Sequence, residues 1–251
     1  MNVVAKTETG RALGDAFAVA RDRLPGKSKI ADQRRQAFEA YERSGLPHRR
    51  IEDWKYTDLR ALMREVLPLA PAPDAAALGR AAAAIKLQAI DGVRRLVLVD
   101  GAFAPDLSDL GNLDKGLGIQ PLREVLDAGD GVLSTQAFAT DISNPMIALN
   151  GAMATDGVVI EIADGTVLAQ PLHIVHVASG TAPASMFTRS LLRLGRDANV
   201  TLVESYLAGE GAKAYQAYDG LIVAIGDNAR LDHVRLVRSE ERRVGKECRS
   251  R

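Results

Sequence analysis

The sequence predicts a mainly β protein with helices in its amino-terminal part, in which the strands wind into a stacked coil. Residues 157–238 contain short segments rich in β-branched residues, each bounded by Gly, Asp, Asn or Pro, as strands and their turns are. The predicted strands are residues 158–162, 172–177, 190–194, 200–204 and 221–225. Little of this stretch shows the periodicity of a helix.

The same stretch nearly repeats itself. Residues 194–200 align with residues 225–231 at a shift of 31 positions, and a fainter copy at residues 162–167 lies 32 positions before the first. Each copy has an apolar residue, a turn containing Gly and Asp, and a strand that restarts on Val or Leu. A period of this size favours a solenoid whose coils cover one another's open edges. An antiparallel sandwich with similar turns is the alternative.

The composition is that of an ordinary globular protein. A chain of 251 residues is long enough for one or two domains. Apolar residues make up 47%, charged residues 25% and aromatic residues 4%, so the core must be mostly aliphatic. The 32 basic and 32 acidic side chains balance, which gives no electrostatic reason to expect a nucleic-acid partner.

The targeting signals and the thiol content favour the cytoplasm. Residues 1–10 contain Lys6 and Glu8 and have no apolar core, unlike a secretory signal peptide. No apolar run approaches the length that crosses a bilayer, so we expect no membrane partner. The single cysteine, Cys248, excludes an internal disulfide framework and indicates a reducing compartment.

Helical periodicity is concentrated in residues 1–90, which we expect to form a helical region ahead of a β core over residues 91–238. Apolar spacing predicts helices over residues 11–24 and from about residue 29 to residue 44. A Pro–Ala segment at residues 68–73 is too stiff for a helix and too poor in backbone donors for an internal strand. It therefore reads as a linker.

Capping residues and prolines indicate further short elements. Thr57 is placed to cap a short helix over residues 58–66, and Asp74 to cap an Ala-rich helix over residues 74–90. Short helices are also expected over residues 122–126 and 145–153, each with Pro near its start, where the missing N–H is harmless. Residues 94–99 read as the first strand.

The most individual segment is residues 47–59, PHRRIEDWKYTDL. It holds the only tryptophan, Trp54, with Tyr56 two residues later and alternating charges around both. The aromatic rings could anchor the segment against the core, or they could form a binding surface. Physical reasoning favours the structural anchor.

Motifs for several kinds of chemistry are missing from the sequence. There is no G-x-x-x-x-G-K-[ST] phosphate loop, no G-x-S-x-G elbow and no C-x-x-C pair. A P-loop ATPase, an α/β-hydrolase, a zinc knuckle and a self-sufficient iron–sulfur site are therefore not expected. Glu204, Asp232 and His233 could form an acid–base group, but nothing in their spacing requires one. We assign no catalytic, cofactor-binding or metal-binding residue.

His173 and His176 form the pair that comes closest to a metal site. Side chains three apart on a flat strand point to opposite sides of the sheet, so the pair cannot share one ion without a bulge. The remaining imidazoles belong to His48 and His233. We therefore expect one of the pair to point inward and form a hydrogen bond, and the other to point outward.

Segments spread along the chain together indicate a family. They are RIEDWKYTDL at 50–59, LVDGAF at 98–103, LS at 107–108, the stretch 144–160, PLHIVH at 171–176, LVESY at 202–206 and ARLDH at 229–233. In their order and number these segments resemble the SufD family, a subunit of the Suf iron–sulfur cluster assembly machinery. The similarity extends over about residues 11–238.

The resemblance implies both a fold and a function. The β stretch would be the right-handed parallel β-helix of the SufB/SufD fold, preceded by a helical region and incomplete at its C-terminal end. The protein would be a scaffold subunit and not an enzyme, pairing with a SufB-like subunit and acting with the SufC ATPase. A homodimer is a further assembly to consider. The chain alone would bind no cofactor, and the complex as a whole would carry an iron–sulfur cluster transiently.

The last residues depart from the family pattern. Residues 239–251, SEERRVGKECRSR, contain five basic residues and no apolar periodicity. We expect a disordered tail foreign to the family after a truncated β-helix, although a natural disordered terminus is the alternative. The family's cluster-associated residues and SufC-docking helices would lie beyond this terminus. The chain is therefore expected not to retain SufC.

Two other classes of function compete with the assembly subunit. The first is a metal-dependent enzyme on a cupin-like β-barrel using His173 or His176, which would lose a stoichiometric metal ion when either is replaced. The second is a carbohydrate-active β-helix protein. Sites of that class need clustered carboxylates and exposed aromatic rings, and aromatic residues are scarce here.

Overall fold

The computed structural model describes residues 8–129, 131–138 and 143–237; the tail expected at residues 239–251, with Cys248, lies outside them. The helices are α1 (Glu8–Ala20), α2 (Lys29–Ser44), α3 (Leu59–Leu62), α4 (Ala75–Leu87), α5 (Leu122–Asp127), α6 (Val132–Phe138) and α7 (Pro145–Met153). The strands are β1 (Arg94–Val99), β2 (Ala102–Phe103), β3 (Leu117–Pro121), β4 (Val158–Ile162), β5 (Leu172–Ala178), β6 (Ala184–Leu194), β7 (Asn199–Ala208), β8 (Tyr215–Ile225) and β9 (Arg230–Val237). None of the described helices is both long and apolar enough to span a membrane.

The strands form two sheets. Sheet 1 has the order β2-β1-β5-β7-β9, and sheet 2 has the order β3-β4-β6-β8. Two short strands, β2 and β3, pair antiparallel with their neighbours. From β6 onward, successive strands alternate between the sheets, and each pairs in parallel with the strand two places earlier. Within the described residues neither sheet closes into a barrel, and the later strands do not form an antiparallel sandwich.

The register of the strands explains the repeat in the sequence. Asn199 pairs with Arg230, the residue 31 positions later, as the repeat requires. At the turn of each copy, Gly165, Asp197 and Asn228 have positive φ angles of 69°, 56° and 57°. Gly, Asp and Asn tolerate this left-handed conformation better than other residues, which is why they recur there. The turns of the repeat therefore share one backbone conformation.

The main core lies between the two sheets. Its members from sheet 1 include Leu96, Leu98, Leu172, Ile174, Val200 and Leu202, and those from sheet 2 include Leu117, Val158, Ile160, Ile162, Leu192 and Leu194. Nearly all are aliphatic, as the low aromatic content requires. Burying these side chains away from water stabilises the pairing of the two sheets.

Helices cover the outer faces of both sheets, so helices are not confined to the amino-terminal region. Ala81 and Ile85 of α4 pack against Val97 and Val175 of sheet 1. In sheet 2, the outward side chains of Val159 and Leu191 pack against a second set of helices. The contacting residues include Leu122 and Leu126 of α5 and Phe138 of α6. Strands of a parallel sheet that is buried on both faces read as continuous apolar runs, as residues 96–99 of β1 do.

Helices α1, α2 and α7 pack together in a separate apolar cluster. The ring of Phe17 stacks on that of Phe38 with centroids 4.3 Å apart. Arg34 of α2 is buried and donates from Nη1 to the carbonyl oxygens of Gly151 and Ala152, at 3.3 and 3.0 Å, at the end of α7. A cation is favourable at a helix C-terminus, so Arg34 attaches α2 to the end of α7.

Some predicted boundaries are wrong. Asp58, not Thr57, caps the third helix, accepting hydrogen bonds from the backbone of Arg60 and Ala61, and that helix has 4 residues. The Pro–Ala linker lies beside the start of β6: Ser185 N donates to Pro68 O at 2.7 Å, and Ala70 N donates to Ser185 O at 2.8 Å. An extended segment can pair in this way because the residues after its prolines still have N–H groups.

Candidate functional site

A group of polar side chains lies between the two sheets. We call it the inter-sheet cluster, and its members are His176 of β5, Glu204 and Tyr206 of β7, Asp219 of β8, and His233 and Arg235 of β9. Side chains alternate across a strand, so Glu204 and Tyr206 lie on the same face of β7 as the core residue Leu202. The core between the sheets is therefore apolar at one end and polar at the other.

Glu204 is the central member of the cluster. It is 2% exposed, and its Oε2 accepts hydrogen bonds from Nε and Nη2 of Arg235 at 3.1 and 2.9 Å. Nε2 of His233 lies 2.7 Å from the same oxygen. Burial by itself raises the pKa of Glu204, but His176, Arg235 and His233 outweigh it and lower the pKa to about 2. Glu204 is therefore a carboxylate at neutral pH.

Asp219 supplies the second carboxylate, from the opposite sheet. Its Oδ2 accepts a hydrogen bond from the hydroxyl of Tyr206 at 2.7 Å and another from Nη2 of Arg235 at 3.2 Å. Burial, followed by the charges of Asp219 and Glu204, raises the pKa of Tyr206. Tyr206 therefore stays protonated and acts as a donor. Arg235 bridges the carboxylates of the two sheets through one guanidinium.

His176 is the member whose hydrogen bonding is incomplete. Its Nε2 is buried and has no hydrogen-bond partner among the described residues, and it lies 3.8 Å from Oε1 of Glu204. Its ring stacks on that of Tyr206, with centroids 4.8 Å apart and planes 10° apart. One potential ligand atom each from His176, Glu204 and Asp219 all lie within 4.8 Å of one another. One imidazole and two carboxylates are a set that can hold a metal ion.

A small cavity adjoins these side chains. It has a volume of about 20 Å³, and His176, Thr188, Tyr206 and Asp219 are among the residues that line it. A cavity of this size has room for about one water molecule or one ion. Asp219 also lines a larger cleft of about 500 Å³, together with Trp54 and Arg189. The cluster therefore has a small space beside His176, Tyr206 and Asp219, and one of its carboxylates is in contact with a larger opening.

The two histidines predicted to point to opposite faces do so, but neither points into solvent. His173 is 3% exposed on the outer face of sheet 1, and its Nε2 lies 2.8 Å from Oγ of Ser205. Burial, with a smaller contribution from Arg95, lowers the pKa of His173. His173 points outward from the pair of sheets as expected, but it is buried because α4 covers the outer face of sheet 1. The expectation that the inward imidazole is the hydrogen-bonded one is wrong. His176, which lies between the sheets, has no hydrogen-bond partner for Nε2 among the described residues, whereas His173 is hydrogen-bonded.

The other residues considered in the sequence analysis do not all lie together in the structure. Glu204 and His233 come together, whereas Asp232 pairs with Arg230 at 3.1 Å on the exposed part of β9. His48 lies elsewhere, and its Nδ1 accepts a hydrogen bond from the backbone N–H of Arg50 at 3.2 Å. The acid–base group of Glu204, Asp232 and His233 is therefore not assembled as a set.

Sequence reasoning missed three members of the cluster: Tyr206, Asp219 and Arg235. A signal existed for Arg235, because it lies 31 residues after Glu204 and the strand register pairs the two. Asp219 had no such signal, because it belongs to the other sheet. The predicted aromatic anchor is also wrong in part: Tyr56 is 88% exposed, with Nζ of Lys55 above its ring.

Comparison with known proteins gives one family. The family model described as "SufBD protein N-terminal region" matches residues 14–174. The chain is 27% identical over 212 residues to the iron–sulfur cluster assembly protein SufD of Escherichia coli (strain K12), covering 83% of this chain and 46% of that protein. It is 28% identical over 222 residues to an iron–sulfur cluster assembly SufBD family protein of Synechocystis sp. (strain ATCC 27184 / PCC 6803 / Kazusa), covering 83% and 47%. The chain therefore spans about half the length of these curated relatives.

Proposed function

The chain belongs to the SufBD family, and we propose that it serves as a SufD-like, non-enzymatic subunit in iron–sulfur cluster assembly. The observation that carries the proposal is the family match over residues 14–174, which includes the helical region and the first strands of both sheets. The names of both curated relatives describe cluster assembly. The segments at residues 50–59, 98–103 and 144–160 lie within the matched range and support the same assignment.

The pKa shifts of Glu204 and Tyr206 do not favour either of these two side chains as a general acid or base. General acids and bases work best when their pKa lies near the operating pH. Here the pKa of Glu204 is lowered to about 2 and that of Tyr206 is raised, so both are moved away from neutrality. The alternative of a cupin-like enzyme is disfavoured because His173 and His176 lie on opposite faces of β5 and the described sheets do not close.

We propose, as a finer statement about the fold, that the alternating strands form a right-handed parallel β-helix. The parallel pairing of each strand with the one two places earlier supports it, as do the positive φ angles at equivalent turns. Each coil would then bury its inward residues against the next. A crystal structure tests the proposal: right-handed winding from β4 to β9 is expected, and left-handed winding or two independent sheets would contradict it.

The direct partner we propose is a SufB-like subunit, in a complex that also contains a SufC-like ATPase, which this chain by itself is expected not to retain. Large apolar side chains support a partner surface: Val223, Ile225, Val234 and Val237 on β8 and β9 are 36%, 55%, 45% and 73% exposed. In the described residues each of these two strands has a neighbour on one side only. A further strand, from the same polypeptide or from a partner subunit, can add to such an edge.

Co-purification tests the assignment. The tagged chain is co-expressed with the SufB-like and SufC-like proteins of the same organism, and an unrelated tagged β-solenoid protein of similar size serves as the control. We expect the SufB-like subunit to elute with the tagged chain at a fixed ratio and not with the control. Equal recovery from both would refute the pairing. The same eluates test the sequence-based expectation that this chain does not retain SufC.

Complementation tests the role in the cell. In a strain lacking the gene for the natural protein, the activity of an iron–sulfur enzyme such as aconitase is expected to fall and to recover when that gene is returned. Aconitase protein, measured by immunoblot, is expected to stay constant. Full aconitase activity in the strain without the gene, under iron limitation, would contradict a role in cluster assembly.

A further inference from the structure

We propose that the inter-sheet cluster binds one divalent first-row transition-metal ion through Nε2 of His176, Oε1 of Glu204 and a carboxylate oxygen of Asp219. The ion is held by this chain itself, so the inference does not depend on the assembly that the chain enters. It also differs from the cupin-like alternative, because the site lies between two sheets that do not close into a barrel within the described residues.

The first argument is the arrangement of hydrogen bonds. Glu204 has two oxygens, and Arg235 and His233 both contact Oε2. Oε1 is left facing Nε2 of His176, at 3.8 Å, which is too long for a hydrogen bond. A buried polar atom without a partner is costly, so such an atom calls for an explanation. An ion between Oε1 and Nε2 would satisfy both atoms.

The second argument is distance. Ligand atoms lie about 2.0–2.2 Å from a bound zinc ion, so two of them in a tetrahedral site are about 3.4 Å apart. The 3.8 Å between His176 and Glu204 is close to that spacing. One ligand atom from each of the three residues lies within 4.8 Å of the others, so the widest pair must close by up to about 1.4 Å when the ion binds. Rotation of the Asp219 carboxyl group can supply part of that movement.

The third argument is charge. Two carboxylates face one guanidinium in the cluster. Arg235 contacts Oε2 of Glu204 and Oδ2 of Asp219, so the second oxygen of each carboxylate is available to another cation. In the metal-free chain a proton on Nε2 of His176 faces Glu204 and helps to lower the pKa of that carboxyl. Binding of the ion releases this proton, and the neutral imidazole with its remaining proton on Nδ1 offers the Nε2 lone pair. The guanidinium thus holds the carboxylates in place from one side while the ion binds from the other.

The fourth argument is space and access. The cavity of about 20 Å³ beside His176 and Asp219 has the volume of one ion or one water molecule. Asp219 contacts the larger cleft of about 500 Å³, through which an ion can reach the cluster. An ion that binds here would have Thr188 and Tyr206 at the wall of the same cavity.

The ligand types indicate the class of metal. Imidazole nitrogen favours zinc, iron, nickel and copper over magnesium and calcium, and carboxylate oxygen is accepted by zinc and iron(II) as well as manganese. A site with one imidazole and two carboxylates therefore favours Zn²⁺ or Fe²⁺ over Mg²⁺. Zn²⁺ is the practical probe because it is not oxidised in air.

The experiment measures Zn²⁺ binding by isothermal titration calorimetry to the tag-free, metal-stripped chain at about pH 7, where an imidazole can be neutral. His176→Phe keeps a ring to stack on Tyr206 and removes the nitrogen ligand, and Asp219→Asn removes a carboxylate while keeping an acceptor. Asp232→Asn and His48→Gln are matched controls outside the cluster. We expect one Zn²⁺ per chain, an affinity at least about 100-fold lower in His176→Phe and Asp219→Asn, and unchanged binding in the controls.

A second measurement does not depend on whether the variants fold. The chain has 4 histidines, so the imidazole ¹⁵N spectrum of the unsubstituted protein has few signals to assign. Addition of one equivalent of Zn²⁺ should move Nε2 of His176 and leave both nitrogens of His48 unmoved. The proposal fails if Zn²⁺ does not bind, if His176→Phe binds it as tightly as the unsubstituted chain, or if the His176 signals do not move.

Discussion

Arg189 and Asn150 form a buried hydrogen bond, in which Nη1 of Arg189 donates to Oδ1 of Asn150 at 2.8 Å. Nδ2 of the same amide donates to the carbonyl oxygens of Thr188 and Tyr218, at 2.8 and 2.9 Å. One side chain of α7 therefore joins β6, β8 and a guanidinium that is 1% exposed. A Cβ at Gly220 would lie 2.7 Å from Oδ1 of Asn150, so the glycine gives the amide the space it needs.

Replacing Asn150 is expected to destabilise the fold strongly. Asn150→Ala leaves two backbone carbonyl oxygens and the Arg189 Nη1 without their partner, and unmade buried hydrogen bonds cost about 1–3 kcal/mol each. We expect the free energy of unfolding to fall by about 3 kcal/mol or more in urea denaturation. A fall below about 0.5 kcal/mol, the range of neutral surface substitutions, would show that water replaces the amide.

Gly157 is expected to tolerate no side chain. A Cβ there would overlap the backbone carbonyl of Arg189, which cannot move without shifting β6. Gly157→Ala is therefore expected to lower the free energy of unfolding by about 3 kcal/mol or more, through displacement of the strand. The measurement is chemical denaturation followed by circular dichroism.

Gly79 provides the matched control for Gly157. It lies within α4, and apart from the adjoining residues and backbone of that helix, no heavy atom of the described residues lies within 4 Å of its Cβ position. Alanine is the better helix former by about 1 kcal/mol, so Gly79→Ala should stabilise the protein. Equal effects of the two substitutions would show that backbone entropy, and not the contact with Arg189, governs position 157.

Asp156 is expected to be replaceable by Asn at a lower cost than by Ala. Its carboxylate accepts hydrogen bonds from the backbone N–H groups of Phe103, Arg123 and Gly157, at 2.9, 2.9 and 2.8 Å. Asp156→Ala leaves all three donors without an acceptor. Asp156→Asn keeps Oδ1, which accepts two of the three hydrogen bonds. We expect losses of about 3–5 kcal/mol for Ala and about 1–3 kcal/mol for Asn. Asp53→Ala, at an exposed position in a short 3₁₀ helix, is the control and should change stability little.

His173 is expected to make the stability of the fold depend on pH. Burial, then Arg95, lowers the pKa of His173 in the folded state. The unfolded chain therefore binds the proton more readily, so the contribution is complete above the unfolded pKa of about 6.5 and is lost as pH falls toward the folded value. His173→Gln does not titrate, and it should flatten the fall in unfolding free energy between about pH 7.5 and pH 5.5. Parallel pH profiles for the two proteins would refute this.

Local signals in the sequence predicted much of the fold. The bounds of β1, β4 and α7 follow from apolar runs and from the proline at the start of α7, and the structure gives the same residues. The end of α2 follows from Ser44 and Gly45 in the same way. These features depend on neighbours in the chain, which a sequence displays directly.

Other boundaries depended on distant contacts. The first halves of β6 and β8 are mixed in polarity and were not predicted as strands. They are extended because Ser185 pairs with Gln216, which lies 31 residues later. Likewise α6 was not predicted, because it is set by the apolar outer face of sheet 2 against which Phe138 packs. Pairing with a distant strand and packing against a distant sheet cannot be read from any local window of sequence.

The sequence by itself determined the repeat, the strand-rich second half, and the family whose segments it carries. Those properties follow from the order of the residues, because a period and an alternation can be counted along a chain. Only the tertiary structure decided that His176 and Glu204 meet Asp219. That meeting depends on two sheets facing each other, and the distance between atoms on facing sheets is set by packing and not by separation along the chain.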